Sequence, residues 1–415
     1  MVLDYVDKFK SHIEQRLKTE DVFLIFDRYE DFSTKCSTRT CRGNEGCRIF
    51  KLSPTAPLPS QKLALTVTEN KKQLINIICD NILNDTDFIQ KNTTKHKLMI
   101  TGQDKTPVEV SCSGTIVERA DMATTHEEAD NIIVQQAIAV AVAQQKPVTV
   151  LADDTDVYAL LLYHYLEQGI QTPMFMESPV KERTVVDIQA TVKKHQNIIP
   201  AILAGHALTG CDTVAPCFGI GKGKMLKVLK TGLNLDMIGN AEANWPEVLK
   251  QATKFIASCY GQSKTNSMSE ARVSVWTSKT GKSGATVTPK LCSLPPTTEA
   301  FIENVKRAHL QTCIWKNALQ LDPPDLEPTS YGWIKESRTK SLLPTTVPTN
   351  VQLAPNHILK LIRCTCSSEQ PCKSSRCACN KSRLPCTMFC ACQTSIECCN
   401  DQTRTAVDED DEDDY

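Results

Sequence analysis

Ten cysteines lie within the 36 residues from Cys364 to Cys399, spaced Cys364-x-Cys366-x5-Cys372-x4-Cys377-x-Cys379-x6-Cys386-x3-Cys390-x-Cys392 and closed by Cys398-Cys399-Asn400. A stretch this short, with so few apolar residues, cannot bury a core of its own and folds only around metal ions or disulfides. The chain holds 20 cysteines, and no N-terminal stretch combines a basic start, an apolar run and a small-residue cleavage site. We therefore expect a reducing compartment, nuclear or cytoplasmic and not secreted, where cysteines are metal ligands more often than disulfides. No histidine falls inside the module, so thiolates alone are the expected ligands.

Four short acidic clusters, each at the end of a hydrophobic run, carry the second signal. They are Phe26-Asp27-Arg28-Tyr29, His126-Glu127-Glu128-Ala129-Asp130, Leu151-Ala152-Asp153-Asp154-Thr155-Asp156 and Thr209-Gly210-Cys211-Asp212. The last leads into Phe218-Gly219-Ile220-Gly221-Lys222-Gly223-Lys224. Carboxylates that follow buried strands collect at one edge of a parallel sheet, where they can hold hard divalent cations such as Mg²⁺ or Mn²⁺. The glycine–lysine hairpin is not a P-loop, because that pattern needs four residues between Gly and Gly-Lys and then Ser or Thr, whereas Met225 follows Lys224.

In order and character these motifs resemble the PIN-like nucleases, and within them the flap-endonuclease/XPG branch, over about residues 20 to 235. The resemblance implies that Asp27, Glu128, Asp130, Asp154, Asp156 and Asp212 ligate or orient catalytic Mg²⁺ or Mn²⁺. It implies that Lys35, Arg39 and Arg42 steer the scissile phosphate. Gly219, Gly221, Lys222 and Lys224 would then grip the backbone of a DNA duplex. Arg28 stands where that family has glycine, so the turn after Asp27 is expected to differ. The family also has an upstream strand ending in a metal-binding aspartate, for which Met1-Val-Leu-Asp4 is a poor substitute.

The cysteine module resembles the tesmin-type CXC domain, which implies three Zn²⁺ held by nine thiolates. Those are assigned to Cys364, Cys366, Cys372, Cys377, Cys379, Cys386, Cys390, Cys392 and Cys399, with Cys398 spare or interchangeable. Three tetrahedral ions need twelve bonds, so some thiolates must bridge. Lys373, Arg376, Lys381 and Arg383, set against Glu369, leave a basic face suited to DNA. The family's minor-groove aromatic has no counterpart in Lys381-Ser382-Arg383-Leu384.

The expected fold class is α/β: a PIN-like parallel sheet flanked by helices, a helical extension with a helical hairpin, and a small C-terminal zinc-cluster module. Its strands are expected near Val22–Phe26, Lys97–Thr101, Val148–Ala152, Met174–Met176 and Arg183–Val186. Helices are expected over Glu127–Gln144, Thr155–Leu166, Ile188–Leu208, Lys222–Lys230, Trp245–Tyr260 and Thr298–Leu319, and a mobile loop over Gln262–Lys290. The domains are then a nuclease domain over 1–235, a helical extension over 236–321, a proline-rich linker over 322–360 anchored at Tyr331-Gly332-Trp333, the CXC module over 361–402 and an acidic tail over 403–415. The net charge is −1, but Asp408 to Asp414 is wholly acidic, and without that run the balance is +6. No run reaches the roughly 18 apolar residues of a membrane span. DNA is the expected partner, with no membrane role. Two other readings stay open: a degenerate nuclease that binds without cutting, and a zinc knob that binds protein. Cys36, Cys41 and Cys47 read as ordinary thiols, His126 and His206 as capping or packing residues, and Trp315 and Trp333 as core or linker anchors.

Overall fold

Two four-residue strands, each ending just before an acidic cluster, form the nearest parts of the fold to the candidate site. In the computed structural model β1 (Val22–Ile25) pairs in parallel with β2 (Leu98–Thr101), and β5 (Val148–Leu151) pairs in parallel with β6 (Met174–Glu177). An antiparallel hairpin, β3 (Val108–Val110) and β4 (Ile116–Glu118), extends the first sheet beyond β2. The short β7 (Val186–Asp187) closes the second sheet antiparallel to β6. The structure describes residues 1–30, 33–35, 48–57, 59–111, 114–180, 183–280, 290–338, 340–348, 351, 363–367, 371–374, 376–387, 390–392 and 398–400.

One compact unit spans Met1–Thr346 and a second spans Val347–Tyr415. In the first, the β1 sheet is covered by α1 (Val2–Leu17), α2 (Thr68–Asn84) and α3 (Thr86–Asn92). Leu74, Ile78 and Ile82 recur at helical spacing and give α2 one buried stripe, packed with Val6, Ile13 and Leu98. The larger core lies around the β5 sheet. It gathers α4 (Ala129–Gln144), α5 (Thr155–Glu167), α6 (Ile188–His195), α7 (Ile202–Leu208), α8 (Lys222–Leu229), α9 (Trp245–Cys259), α10 (Met268–Thr280) and α11 (Thr298–Lys316). Leu160, Leu161 and Leu162 are all buried in α5, and burying a leucine side chain is worth about 1.5–3 kcal/mol. A small hairpin of β8 (Trp333–Lys335) and β9 (Leu342–Pro344) packs Trp333 and Leu342 on Leu310 of α11.

The architecture is thus mixed α/β, with small helix-flanked sheets and a C-terminal cysteine cluster. The single, largely parallel sheet expected from the sequence is replaced by two mixed sheets among the described residues. The β3–β4 hairpin and β7 each add antiparallel strands to one of these sheets. Two other expectations change. Ile188–Leu208 is broken at Ile199–Ala201, where Pro200 interrupts the helical hydrogen bonding. Residues 268–280, read as loop, form α10 because Met268, Ala271 and Val275 fall on one buried face. Val2–Leu17 is helical, so Asp4 ends no strand. The anchored turn at Tyr331-Gly332-Trp333 is present, with Gly332 at φ +80°. No described helix is long and apolar enough to cross a membrane.

Candidate metal centres

The carboxylate site is assembled by helix starts. Glu128 is the N-cap of α4 but makes no side-chain cap hydrogen bond. Instead Asp27, just past β1, accepts from the Ala129 backbone N–H at 3.0 Å. Helix N-termini present unpaired N–H groups and a positive dipole end, so a carboxylate from another element docks there readily. Asp154 caps its own helix, α5, by accepting from the Asp156 N–H at 2.8 Å. Arg28, at the position of the expected glycine, ties the segment before α4 to the end of β1. Its guanidinium donates to the carbonyls of Thr124, His126 and Lys105, and its backbone N–H donates to Glu127 O.

Five of the six expected acids converge in this way. Lys35 Nζ lies 3.0 Å from Glu128 Oε2 and 3.4 Å from Asp130 Oδ2. Burial opposes its charge, but the fields of Glu128, Asp130 and Asp27 outweigh burial and hold its pKa above the usual lysine value. Burial, then the charges of Glu128, Asp154 and Asp27, push Asp130 up to about 7 against the pull of Lys35. Burial also raises Glu128, with Asp27 and Asp156 adding to the effect. Glu128 and Asp156 are buried, Asp27 and Asp130 half-buried, and Asp154 exposed. Asp212 is exposed too, and its neighbour Cys211 is the residue within the field of Asp156 and Glu128. Burial pushes the Cys211 thiol up to about 12, so it stays protonated at neutral pH.

Asp156 has a partner that the sequence reading assigned to capping or packing. His206 Nε2 lies 2.7 Å from Asp156 Oδ1. Burial works against the Asp156 carboxylate, but the bond and charge of His206, helped by Lys35 and Lys222, bring its pKa below the usual range. The only sequence signal for His206 is its place six residues before Asp212 on an otherwise apolar helix.

Lys222, expected at a phosphate, turns inward. Its Nζ donates to Gly210 O at 2.7 Å, His206 O at 2.9 Å and Thr209 Oγ1 at 3.2 Å, closing the C-terminus of α7. Its burial lowers its pKa. Lys224 is exposed, as are Lys227 on the same helix and Lys230 at its C-cap. Gly219 and Gly221 start α8: Ile220 N–H bonds to Cys217 O across a turn with Gly219 at φ +71°, and Gly221 is the N-cap. Arg39 and Arg42 lie outside the described residues, as do Cys36, Cys41, Cys47, Glu369 and the acidic tail.

Gly210 is required on two counts. Its φ is +110°, and a Cβ there would sit 2.7 Å from Pro216 Cα. Gly210→Ala is therefore expected to cost about 3 kcal/mol, from left-handed strain plus backbone displacement, read as a lower urea midpoint. An unchanged midpoint would remove this account of the Gly-Cys-Asp turn.

In the second unit, eight cysteines are buried together: 364, 372, 377, 379, 386, 390, 392 and 398. Their Sγ atoms stand 3.6 Å apart for Cys364–Cys372 and Cys372–Cys386, 3.8 Å for Cys364–Cys392 and 3.5 Å for Cys379–Cys390. A disulfide would need about 2.05 Å. Two thiolates on one tetrahedral zinc, each with a Zn–S bond of about 2.3 Å, stand about 3.8 Å apart. The cluster could therefore hold zinc. Three overlapping foursomes have converging sulfurs: 364/377/379/386, 364/366/372/377 and 364/372/386/392. Cys398 joins the buried group, 4.0 Å from Cys392, whereas Cys399 is half-exposed and its N–H bonds to Pro371 O. Asn400, fully buried, donates to Leu384 O and Cys386 Sγ and fastens the end of the module. Lys373, Arg376, Lys381 and Arg383 are all exposed.

Among the described residues, every set of three or more ligating side chains with donor atoms mutually within 4.8 Å is made of thiols. The carboxylates are gathered more loosely, with the Lys35 ammonium between two of them. Comparison of the chain with protein-family models, curated proteins and solved structures returned no match.

Proposed function

We propose that this protein is a divalent-cation-dependent DNA nuclease of the PIN-like, flap-endonuclease type, with the cysteine module as a zinc-stabilised second DNA contact. One observation carries the reading: carboxylates from the end of β1, the start of α4 and the start of α5 share one electrostatic field beside the carboxyl ends of two parallel strand pairs. Ligand sites of open α/β sheets lie at that edge. Asp27, Glu128, Asp130, Asp154 and Asp156 would hold Mg²⁺ or Mn²⁺, with Asp212 at the exposed rim. Bound there, the cations would supply a hydroxide at neutral pH and offset charge on the phosphoryl group.

The side chains have separate tasks. Glu128 and Asp156 form the buried floor, and Asp154 and Asp212 the open side from which a phosphate backbone approaches. Lys224 and the amides at the start of α8 would hold the backbone one turn away. Lys373, Arg376, Lys381 and Arg383 would add a weaker, tethered contact, so neither site need bind tightly alone.

The test is incubation of the purified protein with labelled branched and linear DNA in Mn²⁺ or in EDTA. Cleavage is expected in Mn²⁺ only and is lost in Asp156→Ala; cleavage that survives that substitution sinks the assignment. The second reading, a nuclease-derived protein that binds DNA without cutting, is favoured by Asp27 and Asp154 acting as helix caps and by Lys35 pairing with Glu128. It predicts salt-sensitive DNA binding with no effect of Mn²⁺.

A further inference from the structure

We propose that His206 is a positioning residue: by holding Oδ1 of Asp156 it aims Oδ2 at the cation, so that a donor at His206 Nε2 is needed for full metal affinity. The inference rests on the reading of the carboxylates as a metal site. It adds a residue that none of the sequence motifs contains.

His206 is 4 % exposed and Asp156 9 % exposed. The 2.7 Å contact joins α7 to α5 across fifty residues of sequence. The imidazole cannot swing away. Its ring packs against the Trp315 indole, with centroids 5.5 Å apart, and Trp315 is itself fully buried. Its backbone carbonyl accepts from Lys222 Nζ. The carboxylate end is equally constrained, because the Asp156 backbone N–H is held by Asp154 Oδ1. An aspartate side chain fixed at its backbone and at one oxygen has one direction left for the other oxygen. Outer partners that orient a ligating carboxylate in this way typically change metal affinity 10- to 100-fold when removed.

A purely structural histidine would matter for packing against Trp315, and any side chain that fills the space would serve. A positioning histidine needs a nitrogen at one point. Glutamine can place its amide nitrogen near Nε2, asparagine is too short to reach, and methionine fills the space without a donor.

The full-length protein and the His206→Gln, His206→Asn, His206→Met and Asp156→Asn variants are titrated with Mn²⁺, with free ion followed by electron paramagnetic resonance and folding checked by thermal unfolding. His206→Gln is expected within about 3-fold of the unsubstituted protein. His206→Asn and His206→Met are expected to bind at least about 10-fold more weakly, and either one that folds is sufficient. If Asp156→Asn weakens binding while a folded His206→Asn or His206→Met matches the unsubstituted protein, the positioning role falls and the metal site stands. The same holds if His206→Gln is as weak as His206→Met. If the unsubstituted protein binds no Mn²⁺, or Asp156→Asn binds it equally well, both fall together.

Discussion

A high-affinity zinc chelator is expected to release about three zinc ions per chain and to unfold the second unit while the first stays folded. Little else could hold that unit together. Among its described residues the buried cluster is made of cysteines, and its only described helix is the four-residue turn Ala378–Lys381. Structural zinc sites contribute on the order of 10 kcal/mol at neutral pH, far more than such a core. The foursomes also rank the cysteines. Cys364 belongs to all three, Cys372, Cys377 and Cys386 to two, and Cys366, Cys379 and Cys392 to one. Cys364→Ala should therefore lower the bound zinc by more than one ion, and Cys366→Ala by no more than one. Zinc content by elemental analysis, with limited proteolysis of the full chain, reads both effects. Equal losses from the two variants would remove the bridging role of Cys364.

Asp130→Asn is expected to stabilise the first unit at alkaline pH and to cut Mn²⁺-dependent cleavage at least about 100-fold, the scale of a lost ligand. Burial and the neighbouring carboxylates raise Asp130 from 3.8 to about 7. The folded state thus binds this proton more tightly than the unfolded state does. Its favourable contribution is complete below pH 4 and lost as the pH rises through 7. By pH 8 the charged form costs the fold on the order of 2–4 kcal/mol. Asparagine removes that cost, so the variant should unfold at higher temperature than the unsubstituted protein at pH 8 and show little difference at pH 4. Asp156 runs the other way. Its pKa is depressed, so its contribution is present above the unfolded pKa and disappears as the pH falls through the folded one. Mn²⁺ should raise the melting temperature of the unsubstituted protein at pH 8 and do less for Asp130→Asn. Identical melting profiles for the two proteins between pH 4 and 8 would contradict this electrostatic account.

Much of the site was legible residue by residue. A short apolar run followed by Asp27 or by Asp154 and Asp156 reads directly as a strand leading into a helix cap, because both features depend on neighbours along the chain. The positions of β1, β2, β5 and β6, and of helices α4, α5, α8, α9 and α11, follow from such local patterns. Helix α10 was hidden by its Ser, Thr and Lys content, although Met268, Ala271 and Val275 carry its buried stripe. The β3–β4 hairpin rests on three-residue strands, too short for alternation to be visible.

Chain-local chemistry determined that thiols gather near the C-terminal end and that Asp27, Asp154 and Asp156 follow strands. Only the tertiary structure decided which groups meet. It set Lys35 between Glu128 and Asp130, turned Lys222 onto the end of α7, put Arg28 to work as a clamp on three carbonyls and brought His206 to Asp156. It also chose Cys398 over Cys399 for the buried cluster. The physical reason is the same in each case. A charged or polar side chain is satisfied by whichever partner lies within about 3 Å after packing, and packing joins residues that sequence separation does not relate.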